Sequence, residues 1–209
     1  MSGSARLEAE LEQATARLRE LDHRIKNDLQ LIGSVLVLQL RRLGEGPERA
    51  AIRGALERVN AVAAVHRRLD VAGDPAHFEA SALIHDLVEE ILAAARRSDV
   101  AVRFALSPAT VPSRQAAPLA LITGELVHNA LRHAFPDRPG EIEVRFGPEE
   151  GLLRLSVRDD GVGLPDGAPA PGGFGATLVG LLAQQLRGRY ELVEAHPGVR
   201  AVVSFPQAA

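Results

Sequence analysis

The chain has 209 residues, of which 46% are hydrophobic and 24% are charged, so it is not broadly disordered and has room for one domain or two small ones. A net charge of −3 with no basic block argues against nucleic-acid binding, and the absence of cysteine excludes disulfides, thiolate nucleophiles and cysteine-ligated metals. Because no apolar run approaches the roughly 20 residues needed to cross a bilayer and no signal peptide is visible, we expect a cytoplasmic protein without membrane insertion.

The first third of the chain predicts two long amphipathic helices. Apolar residues recur at three- or four-residue steps from about residue 5 to Leu43, as in a heptad repeat. Glycine and proline at 44–47 then end the first helix, and a second apolar stripe runs from Ile52 to Leu69. One hairpin of such helices cannot bury both stripes, whereas two hairpins can. The pattern therefore predicts a homodimer built around a four-helix bundle.

Beyond residues 72–75 the hydrophobic period changes, which predicts one domain at 1–72 and another at 76–209. Alternation and helical spacing predict helices at 81–97, 119–134 and 174–186 and strands at 100–105, 142–146, 152–158, 190–194 and 199–205. These elements predict an α+β sandwich of antiparallel strands with helices on one face. The segment at 167–173, rich in glycine and proline, is either a mobile lid over a ligand or a plain linker. Because candidate nucleotide contacts lie on both sides of it, the lid is favoured.

His23 is the first candidate functional residue. The heptad places it at an outward position, and Asn27 lies one turn later on the same face. Taken alone, an outward histidine is most simply a solvated surface residue. A neutral imidazole nonetheless has a free lone pair for attack, so His23 is also a candidate nucleophile that another domain would have to reach.

A line of polar residues on the predicted helix at 119–134 forms the second candidate. Glu125, Asn129 and Arg132 follow one another at helical spacing. Opposite them we expect an apolar face formed by Leu119, Ile122, Leu126 and Ala130. A solvated face is the simple interpretation, but asparagine is unfavourable inside a helix. A carboxylate, an amide and a guanidinium in line would suit a complex of phosphate with Mg²⁺.

Two glycine-containing turns complete the set. Asp159-Asp-Gly-Val-Gly163 follows a strand directly, so the backbone can turn sharply while a carboxylate stays available to an exocyclic amine. Gly172-Gly-Phe-Gly175 opens a helix, whose free N–H groups attract phosphate. Each turn alone is a weak signal. The remaining histidines show no metal-ligand spacing, which argues against zinc.

Together these segments resemble two-component sensor histidine kinases. His23-Arg-Ile-Lys-Asn27 resembles the phosphoacceptor box of the His-Arg-hydrophobic-Lys-Asn subgroup, which is related to the His-Trp-Glu kinases. The residues from Glu125 to Pro136 resemble the N box of that family. Asp159 to Pro165 and Gly173 to Val179 resemble its two glycine boxes. The resemblance covers nearly the whole chain and implies a dimerisation and phosphoacceptor hairpin followed by a GHKL-type ATP-binding domain.

The resemblance also implies roles for individual residues. Asp159 would read the adenine amine, Asn129 would ligate Mg²⁺, and Glu125 would lie beside the metal as a candidate base. Arg132 would lie near a phosphate, and Asn27 would be the place to look for an accompanying phosphatase activity. The glycines would shape the two ends of the ATP site: Gly161 and Gly163 at the adenine, and Gly173 and Gly175 at the phosphates.

The implied activity is autophosphorylation of His23 from ATP, followed by transfer of the phosphoryl group to an aspartate on a response-regulator receiver domain. The sensor would be a separate protein or an input domain outside this chain. Three alternatives remain: a phosphorelay protein with a weak or inactive ATP-binding domain, a GHKL kinase or ATPase switch of the anti-sigma type, and a purely structural dimer. The intact Asn129 and Asp159–Gly163 turn favour the kinase, and the hairpin that carries His23 argues against the anti-sigma type.

Overall fold

The computed structural model describes residues 3–71, 76–136, 138–164 and 173–207. The chain separates into two compact units, Met1–Arg67 and Arg68–Ala209. The predicted boundary at 72–75 and, apart from Gly173, the predicted lid at 167–173 lie outside the described residues. No helix in the described part of the chain combines the length and the apolar character needed to cross a bilayer.

The first unit contains the two predicted helices, α1 (Gly3–Arg42) and α2 (Pro47–Val71). The turn between them is short, and Arg49 ties its two sides together. The Arg49 guanidinium donates hydrogen bonds to the carbonyl oxygens of Leu40 and Leu43 at the end of α1. These carbonyls would otherwise lack a partner, because the last turn of a helix leaves its C=O groups unsatisfied.

The single chain leaves much of the apolar stripe of α1 exposed. Leu21 is 55%, Leu31 64% and Leu38 55% exposed, and other apolar side chains of the helix are also exposed. Those further residues are Ile25, Ile32, Val35 and Val37. On α2, by contrast, Ala61 and Val65 are buried. A row of large apolar residues in water is unfavourable, so this stripe is a surface that a partner could cover.

The second unit is a five-stranded sheet with helices. Its helices are α3 (Ala80–Ala95), α4 (Ala116–His133) and α5 (Phe174–Gln185). Its strands are β1 (His77–Glu79), β2 (Val100–Leu106), β3 (Thr110–Pro112), β4 (Gly140–Glu149), β5 (Leu152–Asp159), β6 (Arg189–Glu194) and β7 (Val199–Pro206). The main sheet has the order β2-β4-β5-β7-β6, and β1 and β3 form a separate two-stranded sheet. The α+β architecture predicted from the sequence is therefore confirmed.

Two features differ from the sequence prediction. The sheet is not purely antiparallel, since β2 pairs with β4 in parallel, Val100 lying opposite Gly140. Parallel pairing is possible because the long connection through α4 returns the chain to the same end of the sheet. The strands β1 and β3 and the 3₁₀ turn Ser113–Gln115 were not predicted. Elements of three residues are too short to show a hydrophobic period.

The core lies between the helices and one face of the sheet. Ile142 and Val144 of β4, Leu155 of β5 and Val203 of β7 are fully buried on that face. The opposite face carries charged residues, such as Glu143 with Arg145 bound to it. Among the helices, α4 packs against α3, α5 and β5. This central position places the polar residues of α4 close to the end of β5 and the start of α5.

Close packing fixes the end of α4. Phe135, the second residue after that end, is only 1% exposed, and its backbone carbonyl accepts a hydrogen bond of 3.1 Å from Arg97. The ring lies so close to the first residue of β4 that a Cβ atom on Gly140 would be 2.0 Å from Phe135 Cε1. Gly140 therefore leaves the space that the Phe135 ring occupies.

We predict that Gly140→Ala lowers the free energy of unfolding by about 1–3 kcal/mol, because the added methyl group overpacks a core ring that has no room to move. Gly180→Ala is the matched control, since no atom lies within 4 Å of a Cβ at this position of α5. There the helical preference for alanine should raise stability by up to about 1 kcal/mol. Urea unfolding measures the free energy of unfolding of both variants. Equal changes in the two would contradict the close packing of Phe135 against Gly140.

Candidate functional site

A cavity of about 410 Å³ opens between α4, the sheet and the start of α5. This volume is in the range of small-molecule binding sites. Apolar side chains make up most of the wall, and its polar side chains are those of Asn129, His133, Asp159 and Tyr190. The remaining lining residues are Leu126, Ala130, Ala134, Val157, Val162, Gly163, Leu164, Gly173, Gly175, Ala176, Leu192, Val199 and Ala201.

Asp159 is the last residue of β5, lines the cavity and is 7% exposed. Its Oδ1 accepts hydrogen bonds from the backbone N–H of Gly161 at 3.0 Å and of Val199 at 3.2 Å. No described residue donates to Oδ2. One carboxylate oxygen therefore fixes the loop and β7 together, while the other can accept a hydrogen bond from a ligand in the cavity.

Burial raises the pKa of Asp159 above its usual value. The two backbone N–H donors act in the opposite direction, and the neighbouring Asp160 carboxylate adds to the increase. An amine that donates to Asp159 would favour its charged form and compensate the unfavourable burial.

Two glycines allow the backbone to approach this carboxylate closely. At Gly161 a Cβ atom would lie 2.3 Å from the carbonyl oxygen of Ala134, which instead accepts a hydrogen bond from Val162 N–H at 3.0 Å. At Gly198, where φ is +86°, a Cβ atom would lie 1.9 Å from the carbonyl oxygen of Asp159. Since any other residue would collide with backbone atoms, these positions require glycine.

The first turn of α5 meets the polar residues of α4. Glu125 is only 3% exposed, so it does not belong to a solvated face. A Cβ atom on Gly175 would be 2.7 Å from Glu125 Oε2 and 3.6 Å from Asn129 Nδ2. Gly173 is the N-cap of α5 and has no side chain to satisfy the first N–H groups. A carboxylate, an amide and the N-terminus of a helix thus lie together, a combination that suits a metal–phosphate complex.

The structure brings together most of the predicted ligand contacts. Five of them line the cavity: Asn129, Asp159, Gly163, Gly173 and Gly175. The other three do not line the cavity. Glu125 lies beside Gly175 at the start of α5, Gly161 lies against Ala134 in the loop after β5, and Arg132 is exposed.

The apolar face expected opposite the polar line of α4 was placed wrongly. Leu126 and Ala130 line the cavity together with Asn129. Most sides of α4 are covered, because the helix packs against α3, α5 and β5 at once, and Asn129 faces the cavity.

Sequence reasoning missed several lining residues. His133 was set aside with the other histidines, yet it lines the cavity, and so do Tyr190 and Leu192 of β6. Alternation along β6 gave a usable signal, since Tyr190 and Leu192 both point to one face. Nothing in the sequence indicated that this part of the face borders a cavity.

The predicted nucleophile lies in the helical unit. His23 and Asn27 are both exposed on α1, as the heptad position predicted. An exposed imidazole is accessible to a second protein domain or to a partner protein.

Two family models match the chain. One is described as a histidine kinase and matches residues 20–95, and the other is described as a histidine kinase-like ATPase domain and matches residues 84–196. The second model alone covers more than half of the 209 residues.

Curated relatives are sensor kinases that are longer than this chain. Sensor histidine kinase PdtaS of Mycobacterium tuberculosis is 31% identical over 159 residues, which cover 73% of this chain and 31% of PdtaS. Blue-light-activated histidine kinase 2 of Erythrobacter litoralis is 28% identical over 199 residues, which cover 91% of this chain and 57% of that protein. The chain therefore spans slightly less than a third of the first relative and somewhat more than half of the second.

Solved structures of similar fold are also histidine kinases. The Erythrobacter litoralis EL346 blue-light activated histidine kinase matches with a TM-score of 0.70 and 26% identity, covering 92% of this chain and 59% of that one. The histidine kinase domain of the same protein gives a TM-score of 0.69 at 22% identity, covering 87% and 94% of the two chains.

The raised pKa of Asp159 predicts a pH-dependent stability. The folded chain holds this proton more tightly than the unfolded chain, so the free energy of unfolding should fall as pH rises from the usual aspartate range through the raised value. Asp159→Asn keeps an oxygen that can accept from Gly161 and Val199 but does not titrate. The stability of the wild type relative to this variant should therefore decrease with rising pH.

Asp99 is the matched control for this titration, because its hydrogen bond to Arg97 lowers its pKa. The stability of the wild type relative to Asp99→Asn should increase with rising pH, which is the opposite sign. Thermal unfolding from about pH 3 to pH 7 measures both differences. Slopes of the same sign would contradict the environment described for Asp159.

Proposed function

The chain belongs to the histidine kinase family, and we propose that it is an ATP-dependent protein-histidine kinase that phosphorylates its own His23. The phosphoryl group then passes to an aspartate on a response-regulator receiver domain. In this proposal residues 1–72 dimerise and carry the phosphoacceptor, and residues 76–209 bind ATP. The protein acts in the cytoplasm and receives its signal from a separate sensor protein or from an input domain outside this chain.

One observation carries the proposal: a single cavity is lined both by a carboxylate with one oxygen that accepts no hydrogen bond from the described residues and by the opening turn of a helix beside an amide. A nucleotide has the matching chemistry, with an exocyclic amine at one end and phosphates at the other. The mostly apolar wall between these ends suits a purine ring.

Asp159 would select adenine. Its free Oδ2 accepts a hydrogen bond from the N6 amine of adenine, while Oδ1 stays bound to the backbone of Gly161 and Val199. Guanine presents a carbonyl oxygen at the corresponding position, and two acceptors facing each other in a buried site are unfavourable. Gly163, with φ of +78°, lets the loop turn along the edge of the base.

The phosphates would lie at the start of α5, against Gly173 and Gly175. The helix N-terminus offers N–H donors and the positive end of the helix dipole. The side-chain oxygens of Asn129 and Glu125 suit Mg²⁺, which prefers oxygen ligands. When bound, Mg²⁺ would neutralise phosphate charge as the phosphoryl group is transferred. Arg132 follows on the same helix and would contact a phosphate.

His23 would attack the γ-phosphorus of ATP in line with the bond to ADP. A nitrogen–phosphorus bond forms as the phosphorus–oxygen bond breaks, and ADP leaves with the bonding electrons. Once the nitrogen–phosphorus bond has formed, the attacking imidazole ring must lose the proton of its other nitrogen, and we assign Glu125 as the candidate base. Asn27, one turn after His23 and equally exposed, is the candidate to orient water in a phosphatase reaction.

We predict that the purified protein incubated with Mg²⁺ and γ-labelled ATP becomes labelled on His23. The label should be acid-labile and alkali-stable, as expected for a phosphoramidate, and His23→Ala should reduce it to background because the nucleophile is gone. His85→Gln is the control, since His85 is another exposed helical histidine and its loss should leave labelling intact. Quantitative autoradiography after acid and alkali treatment measures all three proteins.

Three results would decide against parts of the proposal. Label that persists in His23→Ala would place the phosphoacceptor elsewhere. Binding of ATP without any label would favour the phosphorelay alternative. Absence of ATP binding would remove the kinase assignment altogether.

We also propose that the functional form is a homodimer, formed through the exposed stripe of α1. The residues Leu31, Val35 and Leu38 recur along one side of the helix, and all three are largely exposed in the single chain. A second copy would cover the same residues, so that two hairpins form a four-helix bundle.

We predict that the double variant Leu31→Glu, Leu38→Glu is monomeric at concentrations where the wild type is dimeric. Four carboxylates would enter the interface of each dimer, at a cost of several kcal/mol in dissociation free energy. Sedimentation equilibrium measures the oligomeric state. The control is Glu10→Gln, an exposed position on the same helix that should not affect dimerisation. A double variant that dimerises as tightly as the wild type would exclude this interface.

A further inference from the structure

Arg97 lies in the connection between α3 and β2, and neither the sequence pattern nor the proposed function gives it a role. Its side chain is 29% exposed. The guanidinium forms a two-pronged ion pair with Asp99, from Nε to Oδ1 and from Nη2 to Oδ2, each at 2.8 Å. This pairing holds the planar group in one orientation.

The same guanidinium binds the backbone that follows α4. Its Nη2 donates to the carbonyl oxygens of Phe135 at 3.1 Å and Arg138 at 3.3 Å. At the other end of this connection, Gly140 N–H donates to the carbonyl oxygen of Asp99 at 3.2 Å. Arg97 and Asp99 therefore hold the segment between α4 and β4 at both of its ends.

A chain of hydrogen bonds leads from this segment to the cavity. The carbonyl oxygen of Ala134, the residue before Phe135, accepts a hydrogen bond from Val162 N–H at 3.0 Å. Ala134 and Val162 both line the cavity. Gly161, the residue before Val162, donates its N–H to Asp159 Oδ1, also at 3.0 Å. Two hydrogen bonds and two steps between adjacent residues therefore connect Phe135 to the Asp159 carboxylate.

The loss of Arg97 would disturb this chain at its start. The carbonyl oxygen of a buried residue is unfavourable without a donor, so the backbone of Phe135 would rearrange toward water or another donor. Because Ala134 directly precedes Phe135, the rearrangement would change the position of the carbonyl that binds Val162.

We propose that Arg97 is a positioning residue for the nucleotide and maintains the preference for adenine. It holds the part of the wall formed by Ala134 and Val162. Through Gly161 it also fixes the orientation of the Asp159 carboxylate. This inference rests on the proposed ATP site. Arg97 does not line the cavity, so it would act only through these segments.

Calorimetric titration with ADP and with GDP tests the proposal without phosphoryl transfer. Arg97→Gln removes the charge and the two-pronged pair with Asp99. It should weaken ADP binding about three- to tenfold, at most the effect of losing the hydrogen bond to the adenine amine. GDP binding should weaken less, because the carbonyl oxygen of guanine cannot donate to Asp159. Partial unfolding would instead lower both affinities by the same factor.

Arg96→Gln is the matched control, since Arg96 is the adjacent arginine, is exposed and should leave both affinities unchanged. Arg97→Lys is a milder second variant, because an ammonium group keeps the charge beside Asp99 but lacks the planar fork. Its ratio of ADP to GDP affinity should fall between those of the wild type and Arg97→Gln.

An unchanged ratio of ADP to GDP affinity in both Arg97 variants would overturn the proposal. Failure of the wild type to bind ADP would instead overturn the proposed ATP site. Equal binding of ADP and GDP by the wild type would overturn the selection of adenine by Asp159. These three failures are therefore distinguishable.

Amide hydrogen exchange gives a second measurement in the protein without nucleotide. The N–H groups of Val162 and Gly161 should exchange faster in Arg97→Gln than in the wild type. Leu186 N–H is the internal control, because it donates to Leu182 O at 3.0 Å at the end of α5 and should be unaffected. Unchanged exchange at Val162 would contradict the chain of hydrogen bonds from Arg97 to the cavity.

Discussion

The cavity depends on the buried carboxylate of Asp159. Its Oδ1 joins the loop that follows β5 to the start of β7 through the backbone N–H groups of Gly161 and Val199. Oδ2 accepts no hydrogen bond from the described residues, and Asp159 lines the cavity. The same group thus supports the fold and, in the proposed function, binds the adenine amine, which would compensate the unfavourable burial of the carboxylate.

Glycines make the cavity possible, because they leave room for neighbouring segments to pack closely as well as allowing unusual backbone angles. Gly161 and Gly198 bring the backbone against Ala134 and Asp159, and Gly175 brings α5 against Glu125. Three segments that are distant in sequence therefore enclose one cavity. A methyl group at any of these glycines would separate the segments, so the glycine boxes reflect contact distances between elements as much as contacts with a ligand.

The helical unit presents a different physical problem. A single hairpin exposes the apolar stripe of α1 and also exposes His23 on that helix. In the proposed function a second copy covers the stripe, whereas phosphorylation of His23 would require the imidazole to remain accessible. Leu21, Ile25 and Ile32 fall at seam positions of the heptad, whereas His23 falls at an outward position of the same helix.

The sequence by itself determined the order and type of the long elements, the outward position of His23 and the family to which the chain belongs. It did so because hydrophobic periods and glycine turns are local properties that a linear reading detects. Only the tertiary structure decided that β2 pairs with β4 in parallel, that Glu125 is buried, and that Tyr190 and His133 border the same cavity as Asp159. These facts depend on which distant segments pack together, and pairwise packing in three dimensions leaves no periodic trace in the chain.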